Sequence, residues 1–251
     1  MIIKLLIPGL ILLGQLRCQP DDLCEATPTT FVALVDMSGV RENPDTRQVY
    51  SSNFEELMGH VQPCSHLVAA RITESSAMES TFLLNEDFPS FRPTTDNDTY
   101  RAAEKEQFQN DFALKLGTLT KMVKDTILLS PRIARQTDLF GALTKASDIF
   151  SKYPNDRQTL ILFSDMEQYS SDYKFPTLRL DDTQINEIIA AENKKARGLP
   201  KLQGIKVYVV GAKSADNDRF FAIRNFWLKY FEACGADCRQ EDYGTALIKF
   251  D

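Results

Sequence analysis

Histidine is scarce in this chain, and the glycine patterns that cradle nucleotide phosphates are missing altogether. Only His60 and His66 occur in 251 residues, which leaves little for a histidine-based nucleophilic triad or a histidine-rich metal site. No Gly-x-x-x-x-Gly-Lys-Ser/Thr loop and no Gly-x-Gly-x-x-Gly turn is present, so a bound nucleotide has no ready cradle. No Gly-x-Ser-x-Gly elbow is present either, which removes the serine hydrolases built on it. Positive charge is in deficit: 29 Lys and Arg face 35 Asp and Glu, for a net charge of −6. That balance argues against a nucleic-acid partner, which needs a basic face. The densest basic cluster, Lys194-Lys195-Ala196-Arg197, reads as a solvated helix end. A run of about 18 or more apolar residues, the mark of a membrane-spanning helix, is also lacking.

The most apolar stretch, residues 5–13, follows Lys4 and is broken by Pro8 and Gly9. It has the length of the apolar part of an export signal. Residues 1–18 are therefore expected to be a signal peptide or a lipoprotein-type signal, followed by a tether at 19–29 containing Pro20 and Pro28. Gln15-Leu16-Arg17 lacks the small residues a peptidase prefers, and Cys18 is the candidate for lipidation. Cleavage, acylation at Cys18 and an uncleaved anchor all stay open. The expected location is outside the cytoplasm: periplasmic, membrane-anchored or secreted, with membrane contact only through this segment. Without Cys18, Cys24, Cys64, Cys234 and Cys238 remain, an even set compatible with two disulfides in three alternative pairings. No Cys-x-x-Cys pair supports a zinc reading.

The chain as a whole is 43% hydrophobic and 25% charged, and residues 30–251 are expected to form a single globular domain. Apolar runs at 30–35, 66–72, 159–163 and 205–210 read as strands, with a further edge strand at 246–250. Helical periodicity marks 49–61, 100–129, 139–150, 183–197 and 217–233. The alternation predicts an α/β fold: an open twisted, mostly parallel sheet flanked by helices on both faces. Residues 73–99, polar and turn-rich, read as a surface insertion or a poorly paired edge. Asn97-Asp98-Thr99 has the form of a glycosylation acceptor and is taken as an unmodified loop. The aromatic run at 220–233, with Phe220, Phe221, Phe226, Trp227, Tyr230 and Phe231, is assigned to the core rather than to a contact surface.

Chemistry concentrates where two apolar runs stop. Phe31-Val32-Ala33-Leu34-Val35 ends in Asp36-Met37-Ser38-Gly39, and Leu160-Ile161-Leu162-Phe163 ends in Ser164-Asp165. Ligands of open parallel sheets sit just beyond the carboxyl ends of the strands. Hard oxygen donors gathered there suit a small hard cation. A carboxylate at the end of a buried strand needs a partner or carries a heavy desolvation cost. Between these runs, Thr137-Asp138 stands directly before the helix at 139.

In this order the chain resembles the von Willebrand factor A-type (VWA) domain family, over about residues 31–250. That family has an Asp-x-Ser-x-Ser loop, a threonine before a helix and a strand ending in aspartate, which together form a metal-ion-dependent adhesion site. The resemblance implies metal ligation by Asp36, Ser38, Thr137 and Asp165, with Asp138 and Ser164 as supporting groups. It implies Mg²⁺, or Mn²⁺ or Ca²⁺, and a protein partner that completes the cation shell through an acidic group, without catalysis. Tyr169, Ser170 and Ser171 would border the contact surface. Val40 departs from the pattern, standing where the second serine belongs, and water would have to replace that hydroxyl. Asp138 has an alternative role as a helix cap.

Two other readings compete. A haloacid-dehalogenase-type phosphohydrolase would use Asp36, Ser164, Lys174 or Lys194, and Asp181-Asp182. Its weak point is Ser38, where the general-acid aspartate belongs, because a serine hydroxyl does not protonate a leaving group at neutral pH. The other is a non-metal structural scaffold that works through the 73–99 insertion.

Overall fold

The computed structural model describes residues 24, 27–38, 44–74, 76, 82–129, 136–214 and 216–246. Cys18, Val40 and most of the expected strand at 246–250 lie outside the described residues. Strand β1 (Thr29–Asp36) leads into helix α1 (Pro44–Gly59), then β2 (His66–Ile72) and β3 (Phe82–Asp87). Helices α2 (Asp98–Leu129) and α3 (Leu139–Phe150) follow, then β4 (Arg157–Phe163), α4 (Asp182–Lys194), β5 (Lys206–Val210), α5 (Asn217–Ala233) and the two-residue β6 (Tyr243–Gly244). The strands form one sheet in the order β3-β2-β1-β4-β5-β6. All pairings are parallel except β2 with β3.

The continuous apolar runs are explained by burial on both faces. In β1, Val32 and Leu34 join the core under α3, α4 and α5, while Phe31, Ala33 and Val35 join the one under α1 and α2. Helix α3 buries Leu139, Phe140, Leu143, Ala146 and Phe150, an i, i+4, i+7 stripe that requires a helix against a flat surface. Four of the α5 aromatics lie in the core as expected: Phe226, Trp227 and Tyr230 pack around Phe140, and Phe231 packs on Trp227, whereas Phe221, on the outer face of the helix, is 51% exposed.

Of these expectations, that of a second disulfide needs correction. Within residues 73–99, β3 forms the sheet edge, antiparallel to β2 with a bulge between Ala69 and Ala70. Its half-exposed pattern and the acidic residues Glu86 and Asp87 hide it from an apolar-run search, as suits an edge strand. Among the described residues the far edge is closed by Tyr243–Gly244, and the expected strand at 246–250 falls almost wholly outside them. Of the cysteines, Cys24 and Cys64 form a disulfide, with Cα atoms 5.9 Å apart, but Cys234 and Cys238 do not pair. Cys234 caps the end of α5 inside the core, where its thiol is hydrogen-bonded with Tyr230. Cys238 sits by Asp242 and Lys206 at the amino-terminal edge of β5.

Candidate metal centre

The register of the two central strands builds the site. Val35 of β1 lies opposite Phe163 of β4, so the next residues, Asp36 and Ser164, emerge side by side at the carboxyl edge. Asp36 is only 1% exposed, and Ser164 is fully buried. One oxygen of Asp36 accepts from the Ser38 N–H at 2.8 Å, which folds the first loop back over the strand end. The other accepts from the Ser164 hydroxyl at 2.9 Å, and that hydroxyl in turn accepts from the Met166 N–H at 2.9 Å.

The second loop is delivered by a two-residue antiparallel bridge. Thr137 N–H donates to the Tyr169 carbonyl at 2.8 Å, and Tyr169 N–H donates back at 3.1 Å. Thr137, almost wholly buried, then donates its hydroxyl to Ser38 Oγ at 2.9 Å. Asp138 caps α3 through a bond from the Gly141 N–H (2.9 Å), the alternative role weighed from sequence. Buried Gln168 holds the same helix end by accepting from the Leu139 N–H at 2.7 Å. Of the expected rim, Tyr169 is 38% exposed beside Thr137 and Ser171 is exposed, but Ser170 is buried and accepts from Gln168.

Asp165, partly buried, accepts from the Glu167 N–H at 3.0 Å. The chain then turns through Met166, whose φ of 66° is unusual for a residue with a Cβ. Such a conformation costs on the order of 1–2 kcal/mol and persists only where its surroundings enforce it. Here the Trp227 indole N–H reaches up from α5 to hold the Met166 carbonyl at 2.8 Å. Across the sheet, Gly211 ends β5 with φ 85°, and an added Cβ there would come within 2.4 Å of the Tyr50 ring. Glycine is thus required for Tyr50 to lie against the strand end.

The electrostatics are those of a crowded anionic pocket. Burial raises the Asp36 carboxyl above its ordinary value, against the hydrogen bonds from Ser38 and Ser164. Asp165 is pushed up to about 7 by burial and then by the charge of Asp36, while Lys213 pulls the other way. Burial, with the charges of Asp36 and Asp165, also raises the Tyr50 phenol. Two adjacent carboxylates taken from water call for a compensating cation. The donors at this edge are carboxylate and hydroxyl oxygens, and no group of three or more His, Cys, Asp or Glu converges among the described residues. A cation here would be held by two carboxylates, hydroxyls and water. That suits Mg²⁺, which readily keeps several waters, better than a closed zinc site.

Sequence reading missed Lys213, Tyr50 and Gln168. Lys213 had a signal: it follows a buried strand by three residues and so lies at the same edge. Tyr50 and Gln168 had none, because their roles come from packing across the sheet and a hydrogen bond to a distant helix.

No protein-family model matches the chain, and no curated protein matches it significantly in sequence. Among solved structures it is similar to a von Willebrand factor type A protein from Catenulispora acidiphila, at 11% identity and a TM-score of 0.36 over 84% of this chain and 43% of that one. It is similar to the pilus adhesin SpaC from Lactobacillus rhamnosus GG, at 14% identity and a TM-score of 0.42 over 86% and 28%. A third is proximal thread matrix protein 1 from the mussel byssus, solved with a zinc-occupied metal-ion-dependent adhesion motif, at 14% identity and a TM-score of 0.37 over 80% and 43%. The chain spans less than half the length of each of these. Its own topology is the surer guide: a parallel sheet with one antiparallel edge strand, and Asp-x-Ser, Thr and Ser-Asp loops meeting at the carboxyl edge. The fold is an open, mostly parallel α/β sheet with helices on both faces.

Of the further groups invoked for a phosphohydrolase, Lys174 borders the rim through its bridge to Tyr169, and the others belong to helix α4 and its cap. Asp181 caps α4 by accepting from the Gln184 N–H, and Asp182 pairs with Lys229 at 2.8 Å. Lys174 lies 5.8 Å from the Tyr169 ring centre, and Lys194 ends α4. His66 opens β2, at the opposite edge of the sheet, where it bonds Asp87 and stacks on Tyr153.

Proposed function

We propose that this chain is an exported, non-catalytic VWA-like domain that binds another protein through a divalent cation at the carboxyl edge of its sheet. Asp36 and Asp165 would hold the cation, with Ser38 and Thr137 as hydroxyl donors and Ser164 fixing the Asp36 rotamer. Mg²⁺ fits best, with Mn²⁺ or Ca²⁺ as substitutes. When bound, the cation supplies a Lewis-acidic contact for an acidic group of the partner. The observation that carries this reading is the pairing of two carboxylates at adjoining strand ends, knitted to two hydroxyls from separate loops.

The protein's own contribution is preorganisation. The Thr137–Tyr169 bridge and the Trp227–Met166 bond fix the second and third loops before any ligand arrives. Calorimetric titration of chelator-treated protein with Mg²⁺ and Mn²⁺ tests the reading: binding heat is expected for the native chain and none for Asp36→Ala. No heat from the native chain removes the cation.

Export is supported by the Cys24–Cys64 disulfide, a bond at home in oxidising compartments. Among the described residues no helix is long and apolar enough to cross a membrane. The signal at 1–18 and lipidation at Cys18 belong to this proposal as well. The intact mass of the native, unreduced protein reports cleavage, acylation and cystine count together.

A further inference from the structure

Beside the cation site lies an open cleft of about 640 Å³, lined by Asp165, Glu167, Lys213, Ser214 and Arg219. Its two basic side chains are in different states. Arg219 is engaged: it donates to both oxygens of Glu167, at 3.2 and 2.9 Å, and to the Leu178 carbonyl at 2.9 Å. Lys213 is exposed and gives one hydrogen to the Thr46 hydroxyl on α1, at 2.5 Å. An ammonium carries three donors, so two remain to be placed among the described residues. Its charge acts on Asp165.

We infer that Lys213 is a second anion contact of this site: an acidic segment of the partner spans the cation and the Lys213 ammonium. The same ammonium restrains the affinity for the cation alone. The inference rests on the cation reading above and adds to it the kind of ligand, an extended acidic peptide with neighbouring carboxylates.

The charges in the cleft make the two binding events cooperative. With Asp165 ionised, it joins Glu167 and Asp216 to set three negative charges against the two positive charges of Lys213 and Arg219, and the cleft then repels an anion. A divalent cation held by Asp165 reverses that sign and admits a carboxylate. Lys213 opposes the cation as a like charge, and a bridging acidic group relieves the repulsion between them. By linkage, the acidic group must then tighten cation binding as much as the cation tightens its own. Because the Lys213 ammonium is exposed, its repulsion of a divalent cation several ångströms away is screened about as in water, enough to change affinity about three- to tenfold.

The test uses the whole protein, Mn²⁺ as the cation and a blocked Gly-Asp-Asp-Gly peptide as the acidic ligand. Mn²⁺ affinity is read by electron paramagnetic resonance with and without the peptide, for the native chain, Lys213→Met and Lys213→Arg. Lys213→Met should bind Mn²⁺ alone about three- to tenfold more tightly and lose at least about fivefold of the peptide's enhancement. Lys213→Arg should restore both, which separates charge from damage to the fold. Unchanged values in Lys213→Met, or tighter Mn²⁺ binding with the peptide effect intact, overturn the role of Lys213 and leave the cation reading standing. Absence of any peptide enhancement in the native chain overturns it too. Failure of the native chain to bind Mn²⁺ removes both proposals.

Discussion

Without divalent cations, this protein should become less stable as pH rises from acidic to neutral. The reason is the pair of carboxylates at the sheet edge. Asp165 holds its proton up to about 7 against an ordinary value of 3.8, and Asp36 moves in the same direction. In the unfolded chain both ionise near the ordinary value. Through the interval between, the native state therefore binds more protons than the unfolded state, and stability falls with each unit of pH. A shift of about three units at about 1.4 kcal/mol each sets an upper limit of about 4 kcal/mol for Asp165, and partial solvent access brings that to on the order of 2–4 kcal/mol.

The other shifted carboxylates leave this window clear or can be controlled. Asp172 and Asp182, held low by Lys195 and Lys229, and Glu104, held low by Thr94, lose stability only below the ordinary carboxylate range. Asp138 is raised by burial and adds to the same slope, so Asp165→Asn is the discriminating control. Urea unfolding at about pH 5 and about pH 8 in chelator should show the loss, and Asp165→Asn should remove most of it. Saturating Mg²⁺ should reverse the trend, because a ligand of the ionised native site stabilises by mass action. A flat or rising profile in chelator, or an unchanged slope in Asp165→Asn, refutes the electrostatic argument.

Gly211→Ala should destabilise by about 2–4 kcal/mol in chemical unfolding, combining a left-handed backbone with a clash against Tyr50. A change below about 0.5 kcal/mol, the size of an ordinary surface substitution, would contradict that packing. Replacing both Cys24 and Cys64 by serine should cost up to about 4 kcal/mol, from the denatured-state entropy of a loop with a sequence separation of 40. The Cys234 and Cys238 thiols, pushed up to about 12 chiefly by burial, should resist alkylation at neutral pH until the protein is unfolded. Rapid labelling of the native protein would place them in different surroundings.

The legible parts of this molecule are those in which local pattern and tertiary role coincide. Strands β1, β4 and β5 are buried on both faces, so their apolar runs could hardly be read otherwise. Helices α3 and α5 were bounded correctly because Asp138 and Asp216 cap them and their apolar stripes are continuous. The site's carboxylates stood out as charges ending core strands. What stayed hidden depends on partners far along the chain. β3 shows its strand character only beside β2, and Phe82 is 46% exposed even there. The pairing of Cys24 with Cys64 follows from the turn before β2, which sequence spacing does not describe. Lys213 becomes part of the site only because β5 lies beside β4 in the sheet.

Diffraction from crystals grown with Mn²⁺, with data at the manganese absorption edge, tests the central claim most directly. One anomalous peak is expected at the carboxyl edge, in contact with the oxygens of Asp36 or Asp165 and next to the Ser38 and Thr137 hydroxyls. An empty edge at saturating Mn²⁺, with the Lys213 ammonium drawn between the two carboxylates, would contradict it.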